Sequence, residues 1–157
     1  MQPDQELIAQ FKQSIHREQA FTHLMQKHQV KAYHQIKRMV QNHADADDIA
    51  QLVWIKVWNK LDGFKMESEF STWLFRIAYN ETLNFISKQK HISQPISMDE
   101  MQPLDYLTSS TDGPKNTEIQ IKLERGVKQL PEKQRFVFML RYFDECTYEN
   151  ISKISIK

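Results

Sequence analysis

From Asp4 to Asn42 the apolar residues return at the spacing of a helix, and this repetition constrains the fold more than any other feature of the chain. Leu7, Ile8, Phe11 and Ile15 form one stripe, Phe21, Leu24 and Met25 a second, and Val30, Tyr33, Ile36 and Val40 a third. These stripes predict two or three helices packed antiparallel. Only three glycines occur in 157 residues, while Gln, Lys, Glu, Ile and Leu are plentiful. That balance favours helices over a turn-rich sheet, and the expected fold class is all-α.

The same periodicity divides the chain. "NHADADDIAQLVWIKVWNKL" predicts a helix that Asp45 caps, with Asp47 and Asp48 near the positive end of its dipole and an end near Asp62 and Gly63. A further helix is expected from Ser71 or Thr72 to about Lys90. Residues 91–114 then gather Pro95, Pro103 and Pro114 among Ser, Thr, Asp and Gly, the composition of an extended, flexible linker. Helical spacing resumes in "TEIQIKLERGVKQL", in "EKQRFVFMLRYF" after Pro131, and in "TYENISKI", where Thr147 is the expected cap. The expected organisation is therefore two small helical modules, residues 1–90 and 115–157, joined by the linker 91–114.

Several function classes are disfavoured. Lys and Arg number 21 against 20 Asp and Glu, a net charge of +1, without the basic excess of a protein that holds duplex DNA unaided. No apolar run approaches the roughly 18 residues of a membrane span. "MQPDQELIAQ" lacks a secretory pattern, so a cytoplasmic location is expected. Cys146 has no second cysteine to pair with, and the acids of "DECTYEN" disfavour a thiolate nucleophile. The six histidines show no metal-ligand spacing, no loop is built to cradle phosphates, and nothing nucleophilic converges on Asp62, Glu67 and Glu69. No enzyme, metal or cofactor is expected.

Two helices carry more than a core requires. On the Asp45 helix, Ile49, Val53 and Val57 form one row and Trp54, Trp58 and Leu61 another, displaced by about 100° per residue. Either the helix is buried on two sides of its own bundle, or one row, with Asp48 and Gln51, meets a partner helix. On the next helix Arg76, Asn80, Asn84 and Lys88 recur every fourth residue beside Tyr79. That stripe is either solvated or faces nucleic acid, since Asn and Arg read base edges, Lys and Arg neutralise phosphates, and an aromatic stacks on an unpaired base.

The segment from "DADDIAQLVWIKVWNKL" through "DGFKMESE" to "FSTWLFRIAYNETLNFISKQK" resembles the second conserved region of bacterial RNA polymerase sigma factors, in particular the extracytoplasmic-function group. "LERGVKQLPEKQRFVFMLRYFDECTYENISKI" is similar to the start of that family's fourth region, whose usual form ends in a helix-turn-helix. The resemblance implies a transcription initiation factor that binds core RNA polymerase and directs it to promoters, recognising and helping to melt the minus-ten element. It assigns Asp48, Gln51, Leu52, Trp54 and Trp58 to the clamp of the polymerase's largest subunit. It assigns the loop Gly63 to Glu69, including Phe64 and Lys65, to capture of a flipped base. Arg76, Tyr79, Asn80, Asn84 and Lys88 fall to the non-template strand, and Phe70, Trp73, Leu74 and Ile77 to the core. An anti-sigma factor is the further partner it implies.

Two departures follow from the residues. "SKQKH" supplies only Lys88 and Lys90 where the family often ends the helix in a dense basic cluster. At "TYENISKISIK" the first helix of the helix-turn-helix is present and the groove-entering second is not. The expectation is a C-terminally truncated fourth region, frayed after Thr147, that does not read the upstream minus-thirty-five element. The alternative reading is a sigma-like interaction protein that occupies polymerase without complete promoter recognition.

Overall fold

A computed structural model of the chain describes residues 2–13, 15–40, 42–93 and 118–153. The first four helices are α1 (Asp4–Lys12), α2 (Arg17–Met39), α3 (His43–Lys60) and α4 (Phe70–Ser93), and a 3₁₀ turn, Leu61–Gly63, closes α3. After the linker come α5 (Glu118–Lys128), α6 (Glu132–Tyr142) and α7 (Tyr148–Ser152). No strand occurs among the described residues, and the fold is all-α. Residues 94–114 of the expected linker lie outside the described residues, while 91–93 extend α4 past its expected end.

The N-terminal stretch resolves into two helices. α1 folds back on α2 as a hairpin, since Phe11 near its end meets Phe21 while Asp4 at its start meets Lys27 and His28. Leu7, Ile8 and Phe11 are buried, but Ile15 lies in the turn and is 84% exposed, so the first stripe ends with the helix and not at Ile15. His28 stacks edge-on against Phe70. Its burial pulls the imidazole below the ordinary value of 6.5, although Asp4 opposes this from 2.9 Å.

α3 starts three residues earlier than a helix capped by Asp45 would. Asn42, not Asp45, is the cap, and its side chain accepts from the Ala44 N–H at 2.8 Å. Asp45 lies in the first turn, where its charge still opposes the dipole. The expected end holds. Ile49, Val53, Val57 and Leu61 are fully buried against α2 and α4. α4 completes the bundle with Phe70, Leu74 and Ile77 buried and Trp73 half-buried, the four residues expected in the core. Gln35 fixes α2 to α4 by donating to the Phe75 carbonyl at 3.2 Å.

The C-terminal helices join that same core. Phe136, Met139, Leu140, Cys146 and Ile151 are buried in continuity with α2 and α4. Thr147 caps α7 as expected, accepting from the Asn150 N–H at 3.2 Å. The expectation of a segment frayed after Thr147 is corrected over α7, where Ile151 is 5% exposed, while residues 154–157 lie outside the described residues.

Candidate functional site

α3 is covered on two sides by its own bundle. Trp58 sits edge-on to Phe11 and Phe21 at 5.0 and 4.9 Å, with the Arg17 guanidinium 5.2 Å above its ring. Trp54 meets Phe21 edge-on at 5.9 Å. Both tryptophans are half-buried and belong largely to the packing between α2 and α3. Trp58 therefore gives part of its ring to the packing against α1 and α2 and keeps only part of it open. What remains open is a strip of Asp48, Gln51, Leu52 and Ile55, the i, i+3, i+4, i+7 set of a second helix face.

That strip borders a groove between α2 and α3 lined by Met25, Val30, Tyr33, Gln51, Trp54 and Ile55. Val30 is 60% and Ile55 57% exposed. Neither was singled out as a contact from the sequence, although Ile55 lies one helical turn beyond Gln51. Apolar side chains this open, gathered along one groove, form a surface suited to a partner helix.

The loop from Gly63 to Glu69 separates side chains that look alike in the sequence. The Phe64 ring is buried, 4.7 Å from the Trp73 ring and 6.3 Å from that of Phe70. This corrects its assignment as a DNA-contacting side chain. Gly63, Lys65, Met66 and Glu67 are exposed, and Met66 takes a φ of 57°, in the left-handed region that non-glycine residues seldom enter. Along α4, Asn80, Asn84 and Lys88 stand in the open on one face and Arg76 is half-buried beside them.

Tyr79 departs from the expected exposed stacking surface. It is 2% exposed because α6 lies over it, with the Phe136 ring packed at a tilt, 4.4 Å between centroids. Burial, with Glu132 nearby, pushes its hydroxyl up to about 12, and that hydroxyl meets no hydrogen-bond partner. The seam continues through Thr72, whose hydroxyl donates to the Cys146 sulfur at 3.7 Å. It ends at Arg38, which pairs with Asp144 at 2.8 Å and lies over the Phe143 ring. The pair is imperfect, because Arg38 Nε and Asp144 Oδ2 are buried without partners. Burial outweighs the guanidinium and pushes the Asp144 carboxyl up to about 6.

The helical core thus leaves open one apolar groove, between α2 and α3, and one polar row, on α4. Residues 24–92 match sigma-70 region 2 and residues 120–154 match sigma-70 region 4. The chain is 32% identical over 144 residues to the ECF RNA polymerase sigma factor SigW of Bacillus subtilis (strain 168), covering 86% of this chain and 76% of the relative. An NMR structure of an engineered region 2 of sigmaE in complex with GTAAAA is 31% identical, with a TM-score of 0.54, and covers 60% of this chain and 96% of that one. CnrH, solved with the cytosolic domain of CnrY, agrees in fold at 19% identity, with a TM-score of 0.60 over 96% of this chain and 80% of that one. The chain belongs to the extracytoplasmic-function group of RNA polymerase sigma factors, and it is a transcription initiation factor, not an enzyme.

Proposed function

We propose that the chain binds core RNA polymerase through the groove between α2 and α3, and the single-stranded minus-ten element through α4 and the loop before it. The observation that carries this reading is the division of polar from apolar side chains. Asn80, Asn84 and Lys88 are open over a core of Phe70, Leu74 and Ile77, while the open apolar strip lies elsewhere, on α3. The likeness to a region 2 solved with GTAAAA supports a single strand as the ligand of α4. Amides on that row read base edges, and Lys88 answers a phosphate. The loop takes an unstacked base and so helps the strands stay apart. An anti-sigma factor, the inhibitor class that the family implies, competes for the α3 strip.

Changing Gln51 to alanine together with Ile55→Asp removes open groove side chains without touching Trp54 or Trp58. We expect binding to core polymerase to weaken by about 2 kcal/mol or more in the folded double variant; unchanged affinity rejects the groove. For DNA, fluorescence anisotropy with GTAAAA and its single-base variants separates the two kinds of contact. Asn80→Ala shifts the preferred base, whereas Lys88→Ala weakens every sequence alike and flattens the salt dependence. The reverse pattern rejects the assignment.

A further inference from the structure

We propose that Lys12 and Arg17 are positioning residues for the loop Gly63 to Glu69, so that the N-terminal helix hairpin sets which base the loop accepts. This rests on the reading of that loop as the base-capturing segment. Both residues precede the 24–92 stretch that matches region 2, and neither belongs to the faces described above.

The loop is fastened at its start from two directions. From below, the Phe64 ring is held in the aromatic cluster of Phe70 and Trp73, and its N–H donates to the Leu61 carbonyl at 3.2 Å. From α1, Lys12 Nζ donates to the Phe64 carbonyl at 2.7 Å in a partly buried, charge-assisted bond. One residue before the loop, the two terminal nitrogens of Arg17 reach the two carboxylate oxygens of Asp62 at 3.2 and 2.5 Å. Arg17 is itself held, its guanidinium 4.1 Å from the Phe11 ring centroid and 5.2 Å from that of Trp58. The fork therefore has little freedom to swing.

Beyond this anchor Lys65, Met66 and Glu67 stand exposed, and Met66 keeps its left-handed backbone. A non-glycine residue holds that conformation only where neighbouring structure fixes it. The Arg17–Asp62 pair is too open to contribute much stability, with side chains 30% and 52% exposed. Its consequence is geometric: the loop leaves the bundle at a fixed point and angle. A recognition loop needs such support, because selectivity among bases is lost when contacts drift by about half an ångström.

The test uses the whole chain and the labelled hexanucleotides named above. Lys12→Met keeps the aliphatic stem but cannot donate. We expect it to lower the ratio of affinities between the best and worst base at the loop-sensitive position by about fivefold or more, leaving the weakest sequences unchanged. Lys12→Arg should restore the ratio, and Asp62→Asn should lower it by a smaller factor. If Lys12→Met does not fold, Asp62→Asn decides alone. Wild-type discrimination in these variants, while Lys65→Ala with Glu67→Ala changes it, overturns the positioning role and leaves the base-capture reading standing. Discrimination unmoved by the loop variant as well overturns both. A uniform loss across all sequences on Lys12→Met marks a direct phosphate contact and also overturns the proposal.

Discussion

The ring of Phe64 lies inside the aromatic cluster while its carbonyl faces Lys12, so one residue serves the core with its side chain and the loop with its main chain. Truncating it should cost the stability of a buried aromatic. We expect Phe64→Ala to lower unfolding stability by about 3–5 kcal/mol, read from urea titration, against less than about 0.5 kcal/mol for the exposed neighbour in Lys65→Ala. Equal midpoints for the two variants would remove Phe64 from the core. Trp58 behaves similarly, since Phe11, Phe21 and Arg17 surround it. A loss of polymerase binding in Trp58→Ala would report a loosened bundle before it reported a lost contact. Leu52 and Ile55, open on the same helix, are the positions where substitution isolates binding from folding.

At the scale of elements, α3 shows where helix boundaries come from. Several Asn and Asp residues precede its apolar rows, and only the backbone decides which one caps. Because the Asn42 side chain accepts from Ala44, Asn42→Ala should cost about 1 kcal/mol, whereas Asp45→Ala, inside the first turn, should cost less than half as much. Thermal unfolding of the two variants distinguishes them; the opposite order would return the cap to Asp45. The buried row Ile49, Val53 and Val57 was legible in the sequence, because period alone determines which residues share a face. Which face stays open was not, since α1 and α2 decide it by laying Phe11 and Phe21 against Trp54 and Trp58. The polar row of Asn80, Asn84 and Lys88 was legible for the same reason as the core row. Tyr79 was misjudged because its cover arrives from α6, across the linker, and no local pattern announces a contact that distant. Lys12 and Arg17 gave no local signal either, being single basic residues whose partners lie some fifty positions away.

Across the whole molecule, the two modules meet at a seam that combines good packing with poor polar satisfaction. Phe136 and Tyr79 pack closely, ring against tilted ring, yet the Tyr79 hydroxyl, Arg38 Nε and Asp144 Oδ2 are buried without partners, each a cost of about 1–3 kcal/mol. Asp144 makes the seam sensitive to pH, with Arg38 paired to it and Lys31 the other charge acting on it. Its folded value of about 6 exceeds the ordinary 3.8, so the closed form binds the proton more tightly. The resulting stability is fully present below 3.8 and is lost as pH rises through 6, on the order of 3 kcal/mol in all. Asp144→Asn should abolish that difference between pH 4 and 7, measured as the gap between variant and wild-type unfolding curves; parallel curves would show that the carboxyl does not titrate in the seam. Cys146, the chain's single cysteine, is buried where α6 ends against Thr72. It therefore works as a clock. A thiol reagent in excess can mark the protein only during moments when the C-terminal helices stand away from α4, so the labelling rate, divided by that of a free thiol, counts how often the seam parts. Phe136→Ala, which removes the ring packed on Tyr79, should make the clock run faster, and an unchanged rate would show that this contact does not hold the seam shut.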